Sequence, residues 1–160
     1  MTTIYSLYGF LYENDNEFNV GPVYHGGSWD GIKPIRTSGK GALGVGAYFS
    51  PIKTTAERYA KESGGSVTKV MLSIKNPLKI ESGDGSHPMV QALVKLGVKK
   101  EKAINLVEKV EEEHGYMGSQ VKNLALKQGY NGIFQYFNGV LTEIVVWSSG
   151  QVQPIKDGHQ

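Results

Sequence analysis

With 160 residues, 17 lysines and arginines against 15 acids and a net charge of +2, the chain can bury a core as one domain. It is too evenly charged to argue for nucleic acid or a membrane surface as partner. It holds no cysteine, which excludes a disulfide framework, a thiolate metal site and a thiol nucleophile and fits a reducing compartment. Met1 to Phe10 shows neither a basic leader nor a sustained apolar run, and no later window nears the roughly 20 apolar residues of a membrane span, so a soluble cytoplasmic protein is expected.

Val23-Tyr24-His25 and Val45 to Phe49 are short aromatic and β-branched runs bounded by Gly and Pro, the pattern of strands, the second ended by Pro51. Between them Gly39-x-Gly41-x-x-Gly44 matches the dinucleotide fingerprint as a string. Such glycines must follow a strand and open a helix; here Lys33 to Ser38 precedes them and a strand follows, so a mobile glycine-rich loop is expected. A short helix starts at a Thr54 cap and stops at Gly64-Gly65. Val67 to Ile74 and Leu78 to Ile80 then read as two strands, or one bent strand, across the Asn76-Pro77 break.

From Pro88 to Gln128 the period becomes helical, with stripes at Val90, Leu93 and Val94, at Ala103, Ile104, Val107 and Val110, and at Val121, Leu124 and Ala125. Lys102, Asn105, Lys109 and Glu112 fall opposite the second stripe as its solvated face. Gly129 is a natural stop, after which Gly132 to Phe137 and Glu143 to Trp147 pair as a hairpin around Asn138-Gly139, a strong type I′ turn signal. Strands at both ends and helices between them predict a single α+β domain over residues 1–160, with a helical segment at 88–128.

Three residues far apart in the chain carry chemistry. His25, followed by Gly26-Gly27, sets an imidazole donor beside backbone with no Cβ, where a planar ligand can approach, although a strand-end histidine satisfied by a carbonyl is the commoner arrangement. Tyr48 and Tyr59 read equally well as core aromatics. Glu143 lies in the apolar run Leu141 to Trp147, where an unpaired buried charge costs several kcal/mol. It either points outward from an edge strand or faces a cleft. The histidines at 25, 87, 114 and 159 show no ligand spacing, so no metal is expected, and G-x-S-x-G, phosphate-loop and H-E-x-x-H motifs are missing.

The order and company of these residues resemble a known pattern. Y-F-S-P-I-K-T-T-A-E-R-Y from Tyr48 to Tyr59 and E-I-V-V-W-S-S-G-Q-V from Glu143, with His25 upstream, resemble the H-Y-E signature of the ADP-ribosyltransferases, the diphtheria-toxin and poly-ADP-ribose-polymerase-like class. The chain is similar to small stand-alone mono-ADP-ribosyltransferases of bacteria and their phages. The resemblance covers roughly 22–80 and 129–154 and implies the ADP-ribosyltransferase-like fold, two packed, mainly antiparallel sheets, with 88–128 as a helical insertion.

It also implies NAD as a consumed substrate and no metal. His25 would hydrogen-bond the adenine-side ribose, and the backbone of Gly26 would grip the nicotinamide carboxamide. Tyr48 and Tyr59, eleven residues apart, would stack on the nicotinamide, and Glu143 would be the catalytic carboxylate that stabilises oxocarbenium-like charge. Where the polymerase branch has a carboxamide-binding serine this chain has Ala56, with Thr55 or Ser50 as substitutes, and Gly27 stands where relatives more often carry Ser or Thr. Leu141 replaces the Gln or Glu of arginine-directed relatives, which argues against an arginine acceptor.

The segment Phe134 to Thr142 corresponds to a target-meeting loop, making Tyr136 and Phe137 acceptor-side candidates beside their plain role in hairpin packing. The acceptor expected is a macromolecule, a protein first and a nucleic acid as the alternative, met in a host cytoplasm if the chain is phage-encoded. Two other functions stay open: an NAD glycohydrolase, and a non-catalytic NAD or ADP-ribose-binding interaction module, against which the presence of all three signature residues speaks.

Overall fold

The computed structural model describes residues 2–6, 9–13, 17–39, 41–83, 85–113 and 118–156, so His114 and His159 lie outside it. In chain order the elements are β1 (Thr2–Ser6), β2 (Gly9–Glu13), β3 (Val20–Gly27), β4 (Ala47–Phe49), α1 (Lys53–Ser63), β5 (Ser66–Leu72) and β6 (Pro77–Glu81). They continue with α2 (Pro88–Lys95), α3 (Lys100–Glu113), α4 (Gln120–Lys127), β7 (Gly132–Phe137), β8 (Val140–Val146), a 3-10 turn (Ser149–Gln151) and β9 (Val152–Pro154). Two sheets result, ordered β1-β2-β3-β5-β9 and β4-β8-β7-β6. Every neighbouring pair is antiparallel except β6 and β7.

That one parallel pair explains the helical segment. Parallel neighbours cannot be joined by a tight turn and need a long crossover, and α2, α3 and α4 are that crossover between β6 and β7. The segment is therefore built into the second sheet. The three apolar stripes become the three helices, with Leu93, Ala103, Val107, Val121 and Ala125 buried against Leu78, Ile80, Ile133 and Val145 of the sheet. Lys102, Asn105, Lys109 and Glu112 are exposed, whereas Val94 leaves the first stripe for the surface at 41% exposure.

A second core lies between the sheets, where Val20, Val23, Val70 and Leu72 meet Phe49, Phe134, Leu141, Ile144 and Val146. β5 and β6, adjacent in sequence, go to different sheets, so the chain bends between them. Buried Asn19 holds the bend by donating to the Ile74 carbonyl at 2.7 Å and accepting from the Ile74 N–H at 2.8 Å. The Asn138-Gly139 turn forms as expected, both residues with positive φ. Thr54 is not the cap of α1: the helix begins at Lys53 with Ile52 as cap, whose hydrocarbon side chain can make no capping bond, and the Ser50 hydroxyl fixes the entry by accepting the Ile52 N–H. β1, β2 and β9 were not expected from the sequence; β9 is three residues long and needs β5 as its template.

One irregularity decides the site. Gln135 pairs with Glu143 but Tyr136 pairs with Leu141, so β8 carries an extra residue, Thr142, as a bulge. Its hydroxyl donates to the Gln135 carbonyl at 3.2 Å. Leu141 and Ile144 thus both enter the inter-sheet core, while Glu143 shares the opposite face with Val145.

Candidate active site

The sheets meet where Tyr24 of β3 and Ser50, just past β4, exchange backbone hydrogen bonds of 2.8 and 2.9 Å. Beside this junction opens a cleft of about 590 Å³ whose lining includes His25, Gly26, Tyr48, Ser50, Tyr59 and Glu143. Six residues singled out from sequence therefore share one cavity. Tyr136 and Phe137 do not line it: Tyr136 packs against the inter-sheet core, and Phe137 is exposed at the hairpin end.

His25 is placed by its own backbone and by β4. Its Nδ1 lies 2.9 Å from the carbonyl of Tyr48, which can only accept, so Nδ1 carries the proton. Nε2 is left as an acceptor, so the end of the ring that a ligand can use takes a hydrogen bond instead of giving one. Burial lowers the pKa of the ring, against the raising effect of the Tyr48 carbonyl, and keeps it neutral. Trp29 meets it edge-on at 5.8 Å between centroids. A Cβ at Gly27 would stand 3.1 Å from Nε2, so a side chain there would crowd this acceptor.

Gly26 is required by packing. A Cβ would fall 1.8 Å from the carbonyl oxygen of Ala56, which means that α1 rests directly on the β3 backbone. The same contact aims the Ala56, Tyr59, Glu62 and Ser63 side of α1 into the cleft. Tyr59 is 45% exposed there, its ring 5.5 Å from the Arg58 guanidinium.

Tyr48 is held at both ends. Its hydroxyl accepts from the Leu43 N–H at 3.0 Å and donates to the Gly44 carbonyl at 2.6 Å, and a Cβ at Gly41 would collide with the ring. The Gly41-x-x-Gly44 part of the glycine-rich segment is thus a turn folded around Tyr48 and leading into a strand. Burial pushes the Tyr48 pKa up; the Leu43 N–H opposes this and the nearby charge of Glu143 adds to it. The Ser50 hydroxyl donates to the Thr142 carbonyl at 2.8 Å, so its proton ties β4 to the residue before Glu143.

Glu143 sits on an interior strand, between β4 and β7, and not on an edge. Burial raises its pKa from 4.5 to about 7. Among the described residues no cation pairs with it. A carboxyl of this kind prefers a donor-bearing, positively charged ligand over water.

A family model described as ADP-ribosyltransferase in polyvalent proteins matches residues 15–159. The chain belongs to that family. The family implies a transferase with NAD as its substrate. Among solved structures, one titled as the crystal structure of an anti-CRISPR protein is similar to this chain at 20% identity and a TM-score of 0.45, covering 84% of this chain and 95% of that one. No curated protein sequence matches it. No helix among the described residues is long and apolar enough to cross a membrane.

Sequence reasoning missed several residues in and behind the cleft. Glu62 and Ser63 lie three and four positions beyond Tyr59 on α1, so helical periodicity carried the signal. Arg36 and Ser38 come from an irregular segment with no period to place them. Gln135, opposite Glu143 but behind the cleft lining, depends on a register that only the folded hairpin shows.

Proposed function

We propose that the chain is a mono-ADP-ribosyltransferase of the H-Y-E class that cleaves the nicotinamide–ribose bond of NAD and transfers ADP-ribose to a protein. The observation that carries this reading is the convergence on one cleft of an acceptor imidazole, two tyrosines and a desolvated carboxyl with which no cation among the described residues pairs. His25 Nε2 takes a hydrogen bond from the adenine-side ribose, whose hydroxyls are donors. The backbone at Gly26 faces the carboxamide, with Tyr48 and Tyr59 flanking the ring. Ser50 acts by fastening the strand that bears Glu143.

The nicotinamide ring of NAD is cationic, so its entry favours the ionised form of Glu143. That carboxylate accepts a hydrogen bond from a ribose hydroxyl and stabilises the positive charge that grows on the sugar. The bond to the ring nitrogen breaks with its electron pair going to nicotinamide, which leaves neutral, and the acceptor attacks the ribose carbon and loses a proton. This chemistry asks for no metal. Of the two acceptor-side candidates, both outside the cleft on the β7–β8 hairpin, the exposed ring of Phe137 supports a contact with an acceptor that does not touch NAD, while Tyr136 packs on the inter-sheet core beneath it.

The test is nicotinamide release and transfer of labelled ADP-ribose to a lysate, followed by separate protease and nuclease digestion. Label released by protease supports a protein acceptor, and label released only by nuclease replaces it with a nucleic acid. Nicotinamide release with no labelled macromolecule makes the chain a glycohydrolase.

A further inference from the structure

Gln135 stands directly opposite Glu143 in the β7–β8 pair. Residues so placed in an antiparallel pair have Cβ atoms about 5 Å apart and share a face of the sheet. The amide of Gln135 is oriented by a chain of hydrogen bonds. The Ser82 hydroxyl lies 3.1 Å from the Tyr136 carbonyl, which has no proton to give, so Ser82 must donate there. The oxygen of Ser82 is then an acceptor for Gln135 Nε2, at 3.0 Å. With its nitrogen committed to Ser82, the amide presents its oxygen on the other side.

That oxygen, Oε1, is buried and has no hydrogen-bond partner among the described residues. A buried acceptor left unpaired forfeits its hydration without replacement and calls for an explanation. The group across the strand pair is the carboxyl of Glu143, which can supply a proton when it is neutral. Oε1 is too enclosed to reach a ligand itself, so any role in the reaction runs through Glu143.

We propose that Gln135 is the positioning residue of this cleft: its Oε1 accepts a hydrogen bond from the neutral Glu143 carboxyl and holds that carboxyl until substrate arrives. Because Oε1 cannot donate, it opposes ionisation, and the substrate must supply the donors that release the proton. Burial of Glu143 acts in the same direction. The proposal rests on the reading of Glu143 as the reacting carboxylate. Other groups face the same cleft: His25 from β3, Tyr48 from β4, Tyr59 and Glu62 from α1, and Arg36 from the segment before β4. All of them stay unchanged in the variants below.

The experiment is a carbon-13 titration of the Glu143 carboxyl in the wild type, in Gln135→Met, which keeps the shape without the acceptor, and in Ser82→Ala, which frees the amide to turn and donate. Both variants should lower the Glu143 midpoint by roughly half to one pH unit, since a bond to the neutral form is lost. The acid limb of kcat/KM for nicotinamide release should move with it, and kcat should fall on the order of tenfold as the carboxyl loses its fixed position. A midpoint that stays put or rises in the folded variants overturns the proposal, and Ser82→Ala decides it if Gln135→Met does not fold. The titration needs no turnover, so a wild type that releases no nicotinamide would refute the transferase reading while still judging Gln135.

Discussion

Replacing Glu143 by Gln should remove most activity and, at neutral pH, make the protein more stable. The rise of the carboxyl pKa from 4.5 to about 7 corresponds to up to about 3 kcal/mol of preference for the neutral form in the folded state. A folded pKa above the unfolded one gives stability that is complete below pH 4.5 and lost as pH climbs through 7. An amide does not ionise, so the variant escapes that loss. The melting temperatures of the two proteins should lie close together near pH 4.5. They should separate by pH 8, with the variant higher by roughly 6–12 °C at about 2–4 °C per kcal/mol for a domain of this size. Nicotinamide release should fall on the order of 100-fold or more, because charge stabilisation in the transition state is gone. Melting followed by circular dichroism across pH 4.5–8, with nicotinamide assayed by chromatography, measures both. A melting difference that does not grow with pH would refute the desolvation of Glu143. Undiminished turnover would remove it from the chemistry.

For the wild type, kcat/KM should rise with pH through about 7 as Glu143 ionises; a flat profile from pH 5 to 9 would contradict this. Tyr48→Phe, which loses both bonds to the loop at Leu43 and Gly44, should cost about 1–3 kcal/mol of stability and speed hydrogen exchange at the Leu43 amide. Tyr59→Phe should leave NAD binding by calorimetry nearly unchanged and Tyr59→Ala should weaken it, because an exposed ring acts by stacking. Gly26→Ala should destabilise by about 3 kcal/mol, seen as a lower urea midpoint, since its Cβ collides with the Ala56 carbonyl. Replacing Tyr136 and Phe137 together by Ser should reduce target labelling while nicotinamide release persists; parallel loss of both would assign these aromatics to the core.

Local signals carried much of the fold. The Asn138-Gly139 turn, the Gly64-Gly65 stop and the three apolar stripes each depend on residues close in sequence, and each is found where its pattern places it, Val94 of the first stripe excepted. His25, Tyr48, Tyr59 and Glu143 were likewise visible as residues, through their order and the motifs around them. Their use was not. Whether the His25 ring gives or takes a hydrogen bond depends on the Tyr48 carbonyl across the sheet junction, and the Gly41 to Gly44 turn depends on the Tyr48 hydroxyl, whose direction the pairing of β4 with β8 sets. The helices at 88–128 were legible as helices, but their service as the crossover between β6 and β7 follows only from the parallel pairing.

Glu143 marks the boundary most clearly. Its sequence says that a carboxylate interrupts an apolar run, and simple alternation leaves it free to face either way. The bulge at Thr142 breaks the alternation, sending Leu141 and Ile144 to one face and Glu143 to the other, opposite Gln135 and under the β4 strand that brings Tyr48. A one-residue slip in a ladder reverses every side chain beyond it, and register is a property of two strands and the layers that cover them. His25, Tyr48, Tyr59 and Glu143 were legible along the chain because their neighbours in sequence mark them, whereas their meeting, and the place of Arg36, Ser38, Glu62 and Ser63 beside them, depends on pairing between strands far apart.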